Sequence, residues 1–96
     1  MKEEFTLTLL ADNNFSVLNR IINVLNRRRV RIKKLMAHEN EEDFKRGGVV
    51  MLVFTTPDLV EKVRLQLEKL IEVEEVKIFS GSHVYFDMSE RIVDVD

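Results

Sequence analysis

Between Glu4 and Leu35 the spacing of apolar residues changes twice, and that limits the folds open to the chain. Residues 4 to 11 put Phe5, Leu7 and Leu9 at alternate positions, with Thr6 and Thr8 between them. A period of two in Thr and large apolar residues describes a half-buried strand. Asp12, Asn13 and Asn14 break it with side chains that favour turns. From Val17 the period is helical. Leu18, Ile21, Ile22 and Leu25 fall at i, i+3, i+4 and i+7, opposite Asn19, Arg20, Asn23, Asn26 and Arg27. Ser16 or a loop asparagine can cap this helix, and Arg27 to Arg29 suit its C-terminal dipole. Val30 to Met36 returns to alternation as a second strand. The junction at Asp12–Ser16 is suited to a small anion or zwitterion, because the first amides of a helix have no partner within it.

The second half repeats the order. His38 to Gly48 is polar, has no period and reads as a hairpin connection. Val49 to Thr55 is apolar at nearly every position, so the spacing predicts a central strand covered on both faces. Thr56-Pro57-Asp58 is a helix start: a capping hydroxyl, proline at the first helical position and an acid in the first turn. Leu59, Val60, Val63, Leu67, Leu70 and Ile71 form the stripe of that helix. A last strand runs from Val73 to Phe79 and stops at Gly81. The order strand-helix-strand-strand-helix-strand gives an α+β, ferredoxin-like βαββαβ fold, with two helices on one face of a four-stranded antiparallel sheet. Residues 1–81 form this domain. Residues 82–96 are a tail whose structure is left open. With both helices on one face, the tail, a second copy or a partner must cover the other.

Ninety-six residues allow one core. A net charge of -2 gives no general attraction to nucleic acid or to a membrane. The absence of Cys removes disulfides, thiolate chemistry and Cys-based metal sites, and fits a cytoplasmic setting. The charged start Met1-Lys2-Glu3-Glu4 is not that of a secretory leader, and no apolar run approaches the ~18 residues of a membrane span.

Four clusters bear on function. Asp12, Asn13, Asn14 and Ser16 could hold a carboxylate and an amino group, though an ordinary capped turn uses the same residues. Six of the eight residues from Arg27 to Lys34 are basic. They describe a phosphate or RNA patch, or a helix end running into a solvated strand. An RNA-recognition strand needs stacking aromatics after its basic-glycine pair, and Arg46-Gly47-Gly48-Val49-Val50-Met51-Leu52-Val53-Phe54 supplies only Phe54. His38 and His83, without Cys, make no metal motif, and Glu39 to Asp43 lacks EF-hand spacing. No nucleophile motif or triad order is present, so catalysis has no support.

Scattered positions add a family resemblance. Leu18-Asn19-Arg20-Ile21-Ile22 resembles the Leu-Ser-Arg-Val-Ile type of helix in the ACT domain of the small, regulatory subunit of acetolactate synthase. Asn26 to Leu35 resembles its following turn and strand. Gln66-Leu67-Glu68-Lys69-Leu70-Ile71-Glu72-Val73 resembles its Gln-Leu-x-Lys-Leu-Val-Asp-Val. The likeness spans residues 5 to about 85 and is closest to the short, ACT-only form. It implies a non-catalytic, allosteric subunit of branched-chain amino acid biosynthesis that forms a homodimer and activates a catalytic subunit. Thiamine diphosphate would belong to that partner, and this chain would need no cofactor or metal. A free-standing ACT-type amino-acid sensor for another enzyme is the alternative. The implied effector positions are Asn13, Asn14, Phe15, Ser16, Val17, Leu18 and Arg31. Asn13 keeps the family's loop asparagine. Ser16 and Arg29 replace glycines and Arg31 replaces an asparagine, which implies weakened binding of a valine-type effector.

Overall fold

The structure, a computed structural model, describes residues 1–40 and 42–93. In chain order it contains β1 (Glu3–Asp12), α1 (Phe15–Arg27), β2 (Arg31–Glu39), β3 (Arg46–Thr55), α2 (Pro57–Glu68), β4 (Val73–Ser80) and α3 (His83–Val93). The strands form one antiparallel sheet in the order β2-β3-β1-β4. This is the ferredoxin-like arrangement that the periodicity predicts. It puts β1 and β3 at the centre and leaves β2 and β4 as edges.

The pleat sorts side chains by position. Phe5, Leu7, Leu9 and Ala11 of β1 share a face with Val49, Met51 and Val53 of β3, and meet Val17, Ile21 and Leu25 of α1 and Val60, Val63 and Leu67 of α2. Leu7, Ile21, Met51, Val53, Val63 and Leu67 are fully buried there. The opposite face carries Val50 and Leu52, as buried as the main core. Their cover is α3, which brings Tyr85 and Met88 onto them. Of the three covers that the sequence allows, the tail supplies this one. Residues 94–96 of that tail lie outside the described residues.

Gly81 makes the turn possible. It adopts φ 75°, a conformation that a residue with a Cβ resists, and it reverses the chain from β4 into α3. The turn is tied back to β1: the Gly81 N–H donates to the Glu4 carbonyl (2.7 Å), and the buried Thr6 hydroxyl donates to the Gly81 carbonyl (2.8 Å).

Two element boundaries differ from the sequence reading. β2 continues to Glu39 and β3 begins at Arg46, where the polar stretch suggests a long connection. Ladder pairing decides this. Glu39 pairs with Gly47, and Gly47 and Arg46 pair with Ala11 and Asp12, so backbone groups find partners although side-chain alternation has ended.

Candidate functional site

At the C-terminal end of β1 three neighbours hold the loop before α1. The Asp12 N–H donates to the Glu72 carbonyl (2.8 Å) and the Asn13 N–H to the Lys45 carbonyl (2.7 Å). The Asn13 side-chain amide donates to the Phe44 carbonyl (2.9 Å). Asn13 therefore staples the β2–β3 hairpin to the loop. Asn14 is the N-cap. Its backbone is extended (φ -139°, ψ 163°), and its side-chain oxygen accepts from the Ser16 and Val17 amides, each at 3.2 Å, and from the Ser16 hydroxyl at 2.9 Å. The cap is thus Asn14. Two amides that the sequence leaves open to an anion are already engaged, so an incoming carboxylate must share or displace the Asn14 carboxamide.

A cleft of about 420 Å³ opens beside this loop, a common size for a small-molecule site. Ala11, Val17, Leu18, Ala37 and Val49 give it an apolar wall. Asp12, Asn13, Asn14, His38 and Glu39 give it a polar rim, and Gly47 and Gly48 line it between them. Those glycines allow a close approach. A Cβ at Gly47 would come within 2.9 Å of the His38 carbonyl oxygen, and one at Gly48 would collide with the His38 imidazole. His38 lies where the cleft borders a smaller groove of about 220 Å³ on the α3 side of the sheet.

The charges nearby fall into two groups. Arg46 pairs with Glu74 and, at 3.7 Å, with Asp43; these carboxylates, Glu74 first, hold its pKa above the ordinary value. Arg20 pairs with Glu72. Asp12 and Glu39 on the rim have no ion-pair partner among the described residues. The rim is therefore anionic, which suits an ammonium group.

Of the positions taken from the sequence, Asn13, Asn14, Val17 and Leu18 come together at the cleft. Ser16 is exposed and turned to Asn14. Phe15 opens α1, and its side chain lies outside the described residues. Arg31 pairs with Phe54 while Ala37, the first cleft residue on β2, pairs with Val49, so Arg31 stands six residues along β2 from the cleft, about 20 Å at the rise of a strand. Within one chain it does not reach the site. The sequence reading does not include Ala37, which follows the second strand as read, nor His38, Glu39, Gly47 and Gly48, which fall in the stretch that reads as a connection; the paired glycines are the available signal. His83 sits on α3, apart from His38 on β2. The sheet face on which an RNA-recognition module stacks bases is the one under α3 here.

Residues 13–76 match a sequence model for the ACT domain. No curated protein matches the chain. The ACT domain of GTP pyrophosphokinase from Chlorobium tepidum is similar in structure, with a TM-score of 0.71 and 12% identity over 82% of this chain and 100% of that one. A homoserine dehydrogenase from Thiobacillus denitrificans gives a TM-score of 0.70 and 19% identity over 84% of this chain and 18% of that one. The acetolactate synthase small subunit from Thermotoga maritima gives 0.69 and 25% identity over 78% of this chain and 46% of that one. Among the described residues, no helix is long and apolar enough to cross a membrane.

Proposed function

The chain belongs to the ACT-domain family, a regulatory module of the amino-acid-sensing type, and from that premise we propose that it is a non-catalytic subunit of acetolactate synthase. In this role it binds the thiamine-diphosphate-dependent catalytic subunit, raises its activity and tunes branched-chain amino acid biosynthesis in the cytoplasm. The observation that carries the reading is the cleft at the β1–α1 junction, with an apolar wall beside a capped helix start. The likeness to the Thermotoga maritima small subunit supports this choice of partner.

The cleft can take the two ends of an amino acid separately. Ala11, Val17, Leu18 and Ala37 would receive a branched aliphatic side chain, and Asp12 and Glu39 would receive the ammonium. The carboxylate would meet the α1 N-terminus and compete with Asn14. That competition weakens binding. Ser16 contributes by locking Asn14 in its capping position, as well as by its Cβ. In a homodimer, Arg31 of the second copy would supply the missing cation.

The test is to mix the chain with the acetolactate synthase catalytic subunit encoded by the same genome. A rise in its specific activity, with a complex at micromolar concentrations, is expected. No complex would overturn the reading. Calorimetry with valine, leucine and isoleucine then measures the effector. A free-standing sensor for another enzyme is the second reading, favoured by the family match over residues 13–76, which specifies an ACT domain and no catalytic partner. It requires amino-acid binding without the catalytic partner's activation.

A further inference from the structure

The cleft beside α1 offers acceptors where an amino acid would also need a cation. Ala11, Gly47 and Glu39 stand in one row across β1, β3 and β2, since Gly47 pairs with both of the others. Two strand spacings, about 10 Å, separate the outer members, and the middle one has no side chain, so the row is open above Gly47. The Asn13 carboxamide oxygen borders that opening, 3.6 Å from where a Cβ of Gly47 would lie. The Asn13 side-chain nitrogen donates to the Phe44 carbonyl, which fixes the orientation of the group and leaves the oxygen as an acceptor. Asp12 and Glu39 add two carboxylates without ion-pair partners among the described residues. No Lys or Arg lines the cleft among the described residues. Arg46 is held by Glu74 and Asp43 instead, and Lys45 borders a separate hollow with Phe44.

The place of a ligand's carboxylate is filled from within the chain. The Asn14 side-chain oxygen accepts from the Ser16 and Val17 amides, each at 3.2 Å, and from the Ser16 hydroxyl at 2.9 Å. A carboxylate that takes those amides breaks these bonds, and it enters beside Asp12 and Glu39, whose charge repels it. A ligand with an ammonium and no carboxylate meets neither obstacle. Its three N–H donors find Asp12, Glu39 and the Asn13 oxygen, and an aliphatic body lies against Ala11, Val17 and Leu18. Resting on this cleft as the effector site of the reading above, we propose that it is selective for a primary aliphatic amine over the amino acid with the same side chain. Isobutylamine, which is valine without its carboxylate, is the matched probe. The cleft ranks ligands by charge before shape: the cation binds, the zwitterion binds less well and the anion is turned away. Attraction of the amine weakens with salt.

Backbone-amide NMR of the full chain, titrated in turn with isobutylamine, valine and 3-methylbutanoate, provides the test. Isobutylamine is expected to shift the Asn13, Gly47 and Gly48 amides, with a dissociation constant at least about tenfold below that of valine. The anion 3-methylbutanoate should leave them unmoved. Asp12→Asn/Glu39→Gln changes two exposed positions, so it should keep the wild-type circular dichroism and weaken the amine at least about tenfold. Asn14→Gly keeps a competent cap at small cost and bares the two amides, so valine should gain and the gap between the two ligands should narrow. Valine bound as tightly as isobutylamine by the wild type would mean that a cation from outside the cleft receives the carboxylate. That result overturns the selectivity and leaves the amino-acid reading standing. An amine indifferent to the loss of both carboxylates, or a gap that Asn14→Gly leaves unchanged, overturns it as well. Silence from all three probes also removes the selectivity, while activation of the catalytic subunit by the same preparation would keep the regulatory reading. Amine binding without any complex with that subunit does the reverse.

Discussion

At the scale of single residues, strain and close contact decide most of what is unusual. Arg29 holds φ 55° at the end of α1, where an L-residue costs roughly 1–2 kcal/mol and glycine does not. Arg29→Gly should therefore raise the stability of the monomer by about 1 kcal/mol, read as a higher urea midpoint at unchanged slope. An equal or lower midpoint would mean that the guanidinium makes compensating contacts. The two glycines of the cleft differ in how far their neighbours can yield. A Cβ at Gly47 meets the backbone oxygen of His38, which the β2–β3 ladder fixes, so Gly47→Ala should cost roughly 1–3 kcal/mol. A Cβ at Gly48 meets only the His38 ring, the movable end of a side chain. Gly48→Ala should cost clearly less and should displace the ring, which a shift in the His38 imidazole resonances would report. Similar losses from both substitutions would argue that the ring is as fixed as the backbone.

At the scale of elements, caps and local ion pairs set the ends, and legibility varied with how local the determinants are. α2 was legible because Thr56, Pro57 and Asp58 act on their own first turn, and Thr56 does accept from the Leu59 amide at 3.2 Å. α1 was legible as a helix, but its cap was not unique in sequence, since Asn14 and Ser16 are both competent; hydrogen bonding selects Asn14. The ends of β2 and β3 were hidden because Glu39, Arg46, Gly47 and Gly48 are held by partners distant in sequence. On α2, Arg64 bridges Glu61 and Glu68, and its hydrogen bond holds the Glu61 carboxyl below its ordinary value of 4.5. A carboxyl depressed in the folded state stabilises the fold above its unfolded pKa, and that contribution disappears as pH falls through the folded value. Glu61→Gln should lower the thermal midpoint slightly at neutral pH, and the deficit should shrink and disappear as pH falls through the lowered folded value, where the wild type too becomes protonated. The pair is exposed, so salt should also shrink the deficit. A deficit that persists in acid would assign it to helix propensity instead.

At the scale of the whole molecule, the question is how a sheet with helices on one side keeps its other side dry. Val50 and Leu52 alternate with Val49, Met51 and Val53 along β3, so the strand is apolar on both faces and announces a second cover. The sequence stated that need but not the answer, because the cover depends on the turn at Gly81 and on tertiary contact at Tyr85, neither of which leaves a strong periodic trace. The answer bears on assembly. With α1 and α2 over one face and α3 over the other, the edges remain for a second copy. Removing α3 should redirect that choice. Ending the chain after Ser82 bares Val50 and Leu52, each worth about 1.5–3 kcal/mol of burial, out of a total stability that is ordinarily about 5–15 kcal/mol. The shortened protein should melt well below the full chain, bind a hydrophobic dye and associate beyond a dimer. Tyr85→Ala, which keeps the helix but empties its main contact, should do the same in smaller measure, with a loss of about 3 kcal/mol. The decisive comparison is the effect of salt on association. Pairing through charged edges weakens with added salt, whereas joining through a bared apolar face is preserved or strengthened. If the shortened chain keeps its melting point and the association state of the full chain, α3 is an appendage and not the second layer of the core.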